Sequence, residues 1–130
     1  MMKPKHQPMK KKILLIDDDK HFREMFTELL RRKNYEVIEA SDGKYAHQLV
    51  IDHEPQLIIT DIIMPEKEGI ETIIDLKREH HDLKIIAISG GGRTNAKDNL
   101  RSASLLGADY TFEKPFENNE ILHIIEELTS

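Results

Sequence analysis

Four short apolar runs in this 130-residue chain each lead into a side chain that can contact a phosphoryl group or a metal ion. In a parallel sheet with helices on both faces, ligands bind just beyond the carboxyl ends of the strands. If the runs are strands of such a sheet, the side chains that follow them gather at one edge. The set comprises Asp17, Asp18 and Asp19 after residues 13–16, Asp61 after residues 57–60, Ser89 after residues 85–88 and Lys114 after residues 110–113.

The converging carboxylates indicate a site for a hard cation. Several aspartates at one edge repel each other unless a cation holds them, and Mg²⁺ takes a few carboxylates, keeps several waters and can bind a phosphoryl oxygen. The chain has no cysteine, and its histidines show no metal-site spacing, so zinc is not expected at this edge. The simpler interpretation is that the first three aspartates cap the helix after them, with Asp19 as the capping residue. Capping does not explain Asp61, which follows a different run.

Asp61 is the candidate nucleophile. A carboxylate can attack phosphorus and form an acyl phosphate, and such a transfer depends mainly on positioning and charge neutralisation. Lys114 would bring a positive charge to the phosphoryl oxygens, and Ser89 would bring a hydroxyl donor. Taken singly, Ser89 could be a loop residue and Lys114 part of an ordinary strand-to-helix turn. Their joint placement with Asp61 favours phosphoryl chemistry.

The elements that position these residues follow from the hydrophobic pattern. Short β-branched runs alternate with amphipathic stretches, which predicts βαβ units and a parallel sheet. Five strands and five helices alternate strictly, with Ser41 or Asp42 expected to cap the second helix and the fourth helix ending near Gly107. Right-handed crossovers favour a doubly wound sheet. We therefore expect one α/β domain.

Charge is distributed unevenly along the chain. The formal net charge is −5, yet residues 1–12 contain five lysines and no acid, so the rest of the chain carries −10. Such an acidic body argues against nucleic acid as the main partner. We expect a basic, disordered leader at residues 1–11 and a folded domain at residues 12–130. No stretch resembles a signal peptide or a membrane span, and a cytoplasmic protein is expected.

These residues resemble the receiver domain of two-component response regulators over about residues 12–128. Residues 15–19 are similar to the opening acidic motif of that family, residues 60–65 with Gly69 to its phosphoacceptor segment, and residues 114–116 to its lysine motif. The resemblance implies a flavodoxin-like sheet of order 2-1-3-4-5. It makes Asp61 the phosphoacceptor, with Ser89 and Lys114 beside it. It also implies that Asp18, Asp61 and the backbone carbonyl of Ile63 bind Mg²⁺, with Asp17 assisting.

The same resemblance implies partners and an output. The phosphoryl group would come from a sensor histidine kinase or a histidine phosphotransfer protein, and the face of the fourth helix, fifth strand and fifth helix would contact an unknown downstream protein or a second copy. Thr111 occupies the position where many members carry a switch aromatic, so output through such an aromatic is not expected. Ile63 and Gly91 flank the path of an attacking water and cannot orient it, which predicts slow self-dephosphorylation. The Lys114–Pro115 bond could be cis.

Three interpretations remain open at this point. The first is a stand-alone, single-domain regulator without a DNA-binding domain, which catalyses only its own phosphorylation and dephosphorylation. The second is a receiver-like module that binds partners without being phosphorylated. The third is an aspartyl-nucleophile phosphatase, because residues 17–19 also fit an Asp-x-Asp motif; His21 stands where such enzymes favour Thr or Val, and the chain is short for a substrate-binding cap.

Overall fold

The computed structural model describes residues 10–62, 69–90, 101, 103–104 and 107–130. Within these residues, five parallel strands form a single sheet with the order β2-β1-β3-β4-β5, as predicted. The strands are β1 (Lys12–Ile16), β2 (Glu36–Ala40), β3 (Leu57–Asp61), β4 (Lys84–Ser89) and β5 (Tyr110–Glu113).

Helices with defined bounds lie on both faces of the sheet: α1 (Lys20–Arg32), α2 (Ala46–His53), α3 (Gly69–Glu79) and α4 (Asn118–Thr129). The helix α4 corresponds to the last of the five predicted helices. Most of the predicted fourth helix lies outside the described residues, although Arg101, Ala103 and Ser104 are helical. None of the helices in the described parts of the chain is long and apolar enough to span a membrane. Residues 1–9 of the expected leader also lie outside the description.

Two buried clusters hold the three layers together. The first packs α2 and α3 against one face of the sheet and includes Val50, Ile73 and Leu76. The second packs α1 and α4 against the other face and includes Phe26 and Ile121. Strands β1, β3 and β4 contribute alternate residues to both clusters, which is why they read as nearly continuous apolar runs. The doubly wound arrangement predicted from the sequence is therefore confirmed.

The start of α2 differs from the prediction. The helix begins at Ala46, and its capping residue Tyr45 makes no capping bond through its side chain. The carboxylate of Asp42 instead accepts a hydrogen bond from the Lys44 backbone N–H, at 2.8 Å. This local turn uses the acceptor that would otherwise cap the helix, so the expectation that Ser41 or Asp42 caps α2 is wrong.

Candidate functional site

The carboxyl ends of four strands converge at one edge of the sheet. Register places Ile16 beside Thr60, and Asp61 beside Ile88, so β1, β3 and β4 end at nearly the same level. Ser89 is the last residue of β4 and lies beside Glu113, the last residue of β5. The strands therefore bring together the side chains that the sequence had marked: Asp17, Asp18, Asp61, Ser89 and Lys114.

Three carboxylates form a compact cluster at this edge. One oxygen each from Asp17, Asp18 and Asp61 lies within 4.8 Å of the others. Asp17 and Asp61 are buried, at 0% and 1% exposure, whereas Asp18 is exposed. Like charges this close repel each other unless cations neutralise them. A set of hard carboxylate oxygens with one side open to water is the kind of site that suits Mg²⁺. The predicted ligand Ile63 lies outside the described residues.

Lys114 reaches into the carboxylate cluster from the end of β5. Its Nζ lies 2.8 Å from Asp17 Oδ2 and 3.9 Å from Asp61 Oδ2. The backbone N–H of Lys114 donates a hydrogen bond of 2.8 Å to the Ser89 carbonyl, which ties the residue to the end of β4. The Lys114–Pro115 peptide bond is cis, the isomer that the sequence left open. The Lys114 ammonium thus faces two buried carboxylates and neutralises part of their charge.

Ser89 carries an unusual buried hydroxyl. The residue has 0% exposure, and its Oγ makes no hydrogen bond within the described part of the chain. A hydroxyl removed from water without a partner costs free energy, so native proteins rarely leave one in this state. An incoming group with acceptor oxygens would give this hydroxyl a partner.

Asp17 is held by contacts that the sequence did not reveal. Its Oδ1 accepts a hydrogen bond from the Asp19 backbone N–H at 2.9 Å. Its carbonyl accepts one from Arg23 Nη1 at 2.7 Å. Arg23 also lies 3.4 Å from a carboxylate oxygen of Glu39, which orients the guanidinium between β1 and β2. The sequence does not reveal these contacts, because no local motif connects an arginine with a carbonyl six residues earlier.

Phe22 is the second residue that the sequence analysis missed. Its ring centroid lies 3.9 Å from Lys114 Nζ, a cation–π distance,. The ring also stacks on Phe26 and meets Phe116 edge to face. The ring packs against the core on the α1 side of the sheet, but spacing within one helix does not show which distant side chain such a ring supports.

Asp19 caps α1 as predicted. Its side chain accepts a hydrogen bond from the Phe22 backbone N–H at 3.1 Å. This bond stabilises the carboxylate and lowers the pKa of Asp19, and the positive charge of Lys114 acts in the same direction. The structure therefore assigns Asp19 to the helix and leaves the other two aspartates of the motif for the cluster.

Thr111, at the position where many receiver domains carry a switch aromatic, is half-buried in β5, whereas its neighbour Tyr110 is exposed.

Comparison with known proteins agrees with this geometry. The family model of the response regulator receiver domain matches residues 13–126. The phosphate regulon transcriptional regulatory protein PhoB of Pseudomonas aeruginosa is 35% identical over 114 residues, which are 86% of this chain and 48% of that protein. The transcriptional regulatory protein CpxR of Escherichia coli K12 is 35% identical over 111 residues, 85% of this chain and 46% of that protein. The chain thus spans about half the length of these relatives.

Solved structures show the same fold. The receiver domain of NtrX from Brucella abortus matches with a TM-score of 0.82 and 28% identity, covering 90% of this chain and 97% of that one. The response regulator TrrA of Thermotoga maritima, in complex with Mg²⁺-BeF, matches with a TM-score of 0.79 and 29% identity, covering 91% of this chain and 98% of that one. The chain therefore belongs to the response regulator receiver domains of two-component signal transduction systems.

Proposed function

We propose that Asp61 accepts a phosphoryl group from a phosphohistidine on a sensor histidine kinase or a histidine phosphotransfer protein. The observation that carries this proposal is the carboxylate cluster, in which one oxygen of Asp61 lies within 4.8 Å of an oxygen of Asp17 and of an oxygen of Asp18. In the reaction, a carboxylate oxygen of Asp61 forms a bond to phosphorus while the bond from phosphorus to the donor's imidazole nitrogen breaks. The imidazole leaves as the neutral base after taking up a proton. The product is an acyl phosphate on Asp61.

Asp18 and Asp61 would hold the Mg²⁺ ion, together with the backbone carbonyl of Ile63, and Asp17 would assist. Bound there, the ion would neutralise charge on the phosphoryl oxygens and on the aspartates during transfer. The carboxylate cluster supports this assignment, because Mg²⁺ is usually held by one or two carboxylates and completes its shell with water and phosphate oxygens. The match to TrrA, which was solved with Mg²⁺-BeF, points in the same direction.

Lys114 and Ser89 would hold the oxygens of the transferred group. The ammonium of Lys114, 3.9 Å from an Asp61 oxygen, is within reach of a phosphoryl group attached to that carboxylate. The unpartnered hydroxyl of Ser89 would donate to another phosphoryl oxygen. Both interactions exist only when the group is present, so they would favour a different local arrangement of β4 and β5 after phosphorylation.

The output would be a change in protein contacts. Receiver domains are phosphorylation-switch domains and not classical enzymes. We expect this one to catalyse only its own phosphorylation and slow dephosphorylation, since neither Ile63 nor Gly91 has a side chain that can orient water. The contact surface would be the face formed by the predicted fourth helix, β5 and α4. A downstream protein would bind it, as for a single-domain regulator, or a second copy would form a homodimer.

Intact mass measurement after incubation with Mg²⁺ and acetyl phosphate tests the proposal. We expect a Mg²⁺-dependent increase of one phosphoryl group in the wild type and none in Asp61→Asn. Asp52→Asn is a matched control, because Asp52 is an aspartate on α2 that bonds Gln48, away from the cluster. An adduct that persists in Asp61→Asn contradicts the assignment of the nucleophile.

Other outcomes distinguish the alternatives. If neither acetyl phosphate nor a phosphohistidine donor gives an adduct, the protein acts as an interaction module independent of phosphorylation. Turnover of a phosphate ester that requires Asp17 and not Asp61 would support the phosphatase.

A further inference from the structure

Two histidines from different helices bring their ring nitrogens together on the surface of the α2–α3 layer. His47 lies in the first turn of α2, and His80 directly follows the last residue of α3. Nδ1 of His47 and Nε2 of His80 are 3.3 Å apart. The ring centroids are farther apart, at 5.0 Å, with 39° between the ring planes. The two rings therefore approach each other most closely at these nitrogens.

The separation of the nitrogens fits two ligands of one metal ion. With Zn–N bonds of about 2.0–2.1 Å, tetrahedral geometry puts two ligand nitrogens about 3.3 Å apart. The competing arrangement is a hydrogen bond between two neutral imidazoles. At 3.3 Å the two nitrogens can also form a weak N–H···N hydrogen bond, in which one ring donates and the other accepts, whereas a bound ion takes a lone pair from both nitrogens.

We infer that His47 and His80 form a binding site for a divalent, late first-row transition-metal ion such as Zn²⁺, Ni²⁺ or Cu²⁺. Imidazole is a favoured ligand of these ions, whereas Mg²⁺ prefers oxygen. Among the described residues, no third histidine or carboxylate brings a ligand atom close enough to both rings to share the ion. Water completes the coordination shell.

The surroundings leave room for those waters. His47 lines a cleft of about 320 Å³ together with Asp75 and Glu79. His80 lines a second, open cleft together with Glu54 and Asp82. Lys44 and Arg78 also line the first cleft, and Arg78 is paired with Asp75 at 3.2 Å. Lys84 lines the second cleft, so four acidic side chains face three basic ones across the two clefts. The two imidazole nitrogens, and not the surrounding charge, would supply the binding.

Binding would connect α2 to α3. The two histidines are 33 positions apart in the sequence, so the unfolded chain does not hold them in this geometry. An ion that binds only the folded arrangement stabilises it by mass action. The site is separate from the acidic cluster and uses different chemistry, so it does not depend on phosphorylation of Asp61.

Calorimetric titration of the full chain with Zn²⁺ tests this inference. Excess Mg²⁺ is kept in the buffer so that the acidic cluster does not take up Zn²⁺. We expect one equivalent of Zn²⁺ to bind and the Tm to rise by several degrees. His47→Ala and His80→Ala should each weaken binding by about tenfold or more, because each removes one of the two protein ligands.

His53→Ala and His81→Ala are the matched controls, since these histidines lie at the end of α2 and beside His80. Both should bind Zn²⁺ like the wild type. Cu²⁺ provides a second readout: its electron paramagnetic resonance spectrum should show coupling to two imidazole nitrogens, reduced to one in His47→Gln. Unchanged affinity in the His47 and His80 variants, an equal loss in the controls, or a loss only in Asp61→Asn would each overturn the inference.

Discussion

At the scale of single residues, the position of Lys114 is set by neighbouring carboxylates, by an aromatic ring and by the end of β5. Its ammonium contacts Asp17, lies near Asp61 and sits above the Phe22 ring. The carboxylates pull it into the cluster, and the ring supports it from the side of α1. Phe22 therefore contributes to the position of a group that would contact phosphoryl oxygens.

We predict that Phe22→Leu slows phosphorylation by acetyl phosphate. A cation–π contact of this kind is worth about 0.5–1 kcal/mol, which corresponds to a two- to fivefold lower rate. Phe26→Leu is the control, because Phe26 packs in the same aromatic cluster but its ring makes no described contact with Lys114. It should lose stability and keep the rate. Equal rates in Phe22→Leu and the wild type, measured by mass spectrometry over time, would show that the ring does not position Lys114.

The buried hydroxyl of Ser89 leads to a prediction about the free energy of unfolding. The Ser89 hydroxyl is buried and has no partner among the described residues. Removing such a hydroxyl should not destabilise the protein, since the desolvation penalty of that group is removed as well. In the absence of Mg²⁺ and phosphodonor, Ser89→Ala should be neutral or more stable by up to about 1 kcal/mol in urea denaturation.

Thr129→Val provides the comparison for Ser89→Ala. Thr129 is also buried, but its hydroxyl donates a hydrogen bond of 2.7 Å to the Ile125 carbonyl. Its loss should cost about 1 kcal/mol. A similar cost for Ser89→Ala would mean that the Ser89 hydroxyl is satisfied in the folded protein.

At the scale of elements, the approach of α3 to the turn before α2 depends on a glycine. A Cβ added at Gly43 would overlap the Oγ1 of Thr72, which is buried on α3. We predict that Gly43→Ala destabilises the protein by about 1–3 kcal/mol through overpacking. Urea denaturation of the single and double variants measures the effect.

A double-mutant cycle locates that cost. In a Thr72→Ala background the obstructing side chain is absent, so Gly43→Ala should cost clearly less than in the wild type. Additive costs would mean that Gly43 matters for its backbone and not for its contact with Thr72.

Much of the element order could be predicted because the physical signals are local. The short apolar runs marked β1, β3, β4 and β5, and Asp19 was identified as the cap of α1. The cap of α2 was missed because Asp42 can bond a backbone N–H two residues away and never reach the helix. The contact between His47 and His80 was missed for a different reason. It is created by the packing of two helices, and the residue spacing within either helix does not predict it. The same holds for Phe22 and Lys114.

At the scale of the whole molecule, the site and the fold are thermodynamically linked. The sheet brings Asp17, Asp18 and Asp61 together, and their mutual repulsion opposes the folded state. An ion that binds this cluster only in the folded protein offsets that repulsion. Mg²⁺ bound at this cluster would therefore raise the stability of the folded protein.

We predict that Mg²⁺ raises the free energy of unfolding by about 2.7 kcal/mol once its free concentration reaches a hundred times its dissociation constant. Asp18→Asn tests the origin of this gain, because Asp18 is the exposed member of the cluster and its replacement leaves the core intact. Without Mg²⁺, the variant should be as stable as the wild type or slightly more stable, since one repelling charge is gone. With Mg²⁺ it should gain less. Urea denaturation in EDTA and in a Mg²⁺ series measures both effects, and an equal gain in the two proteins would place the ion away from Asp18.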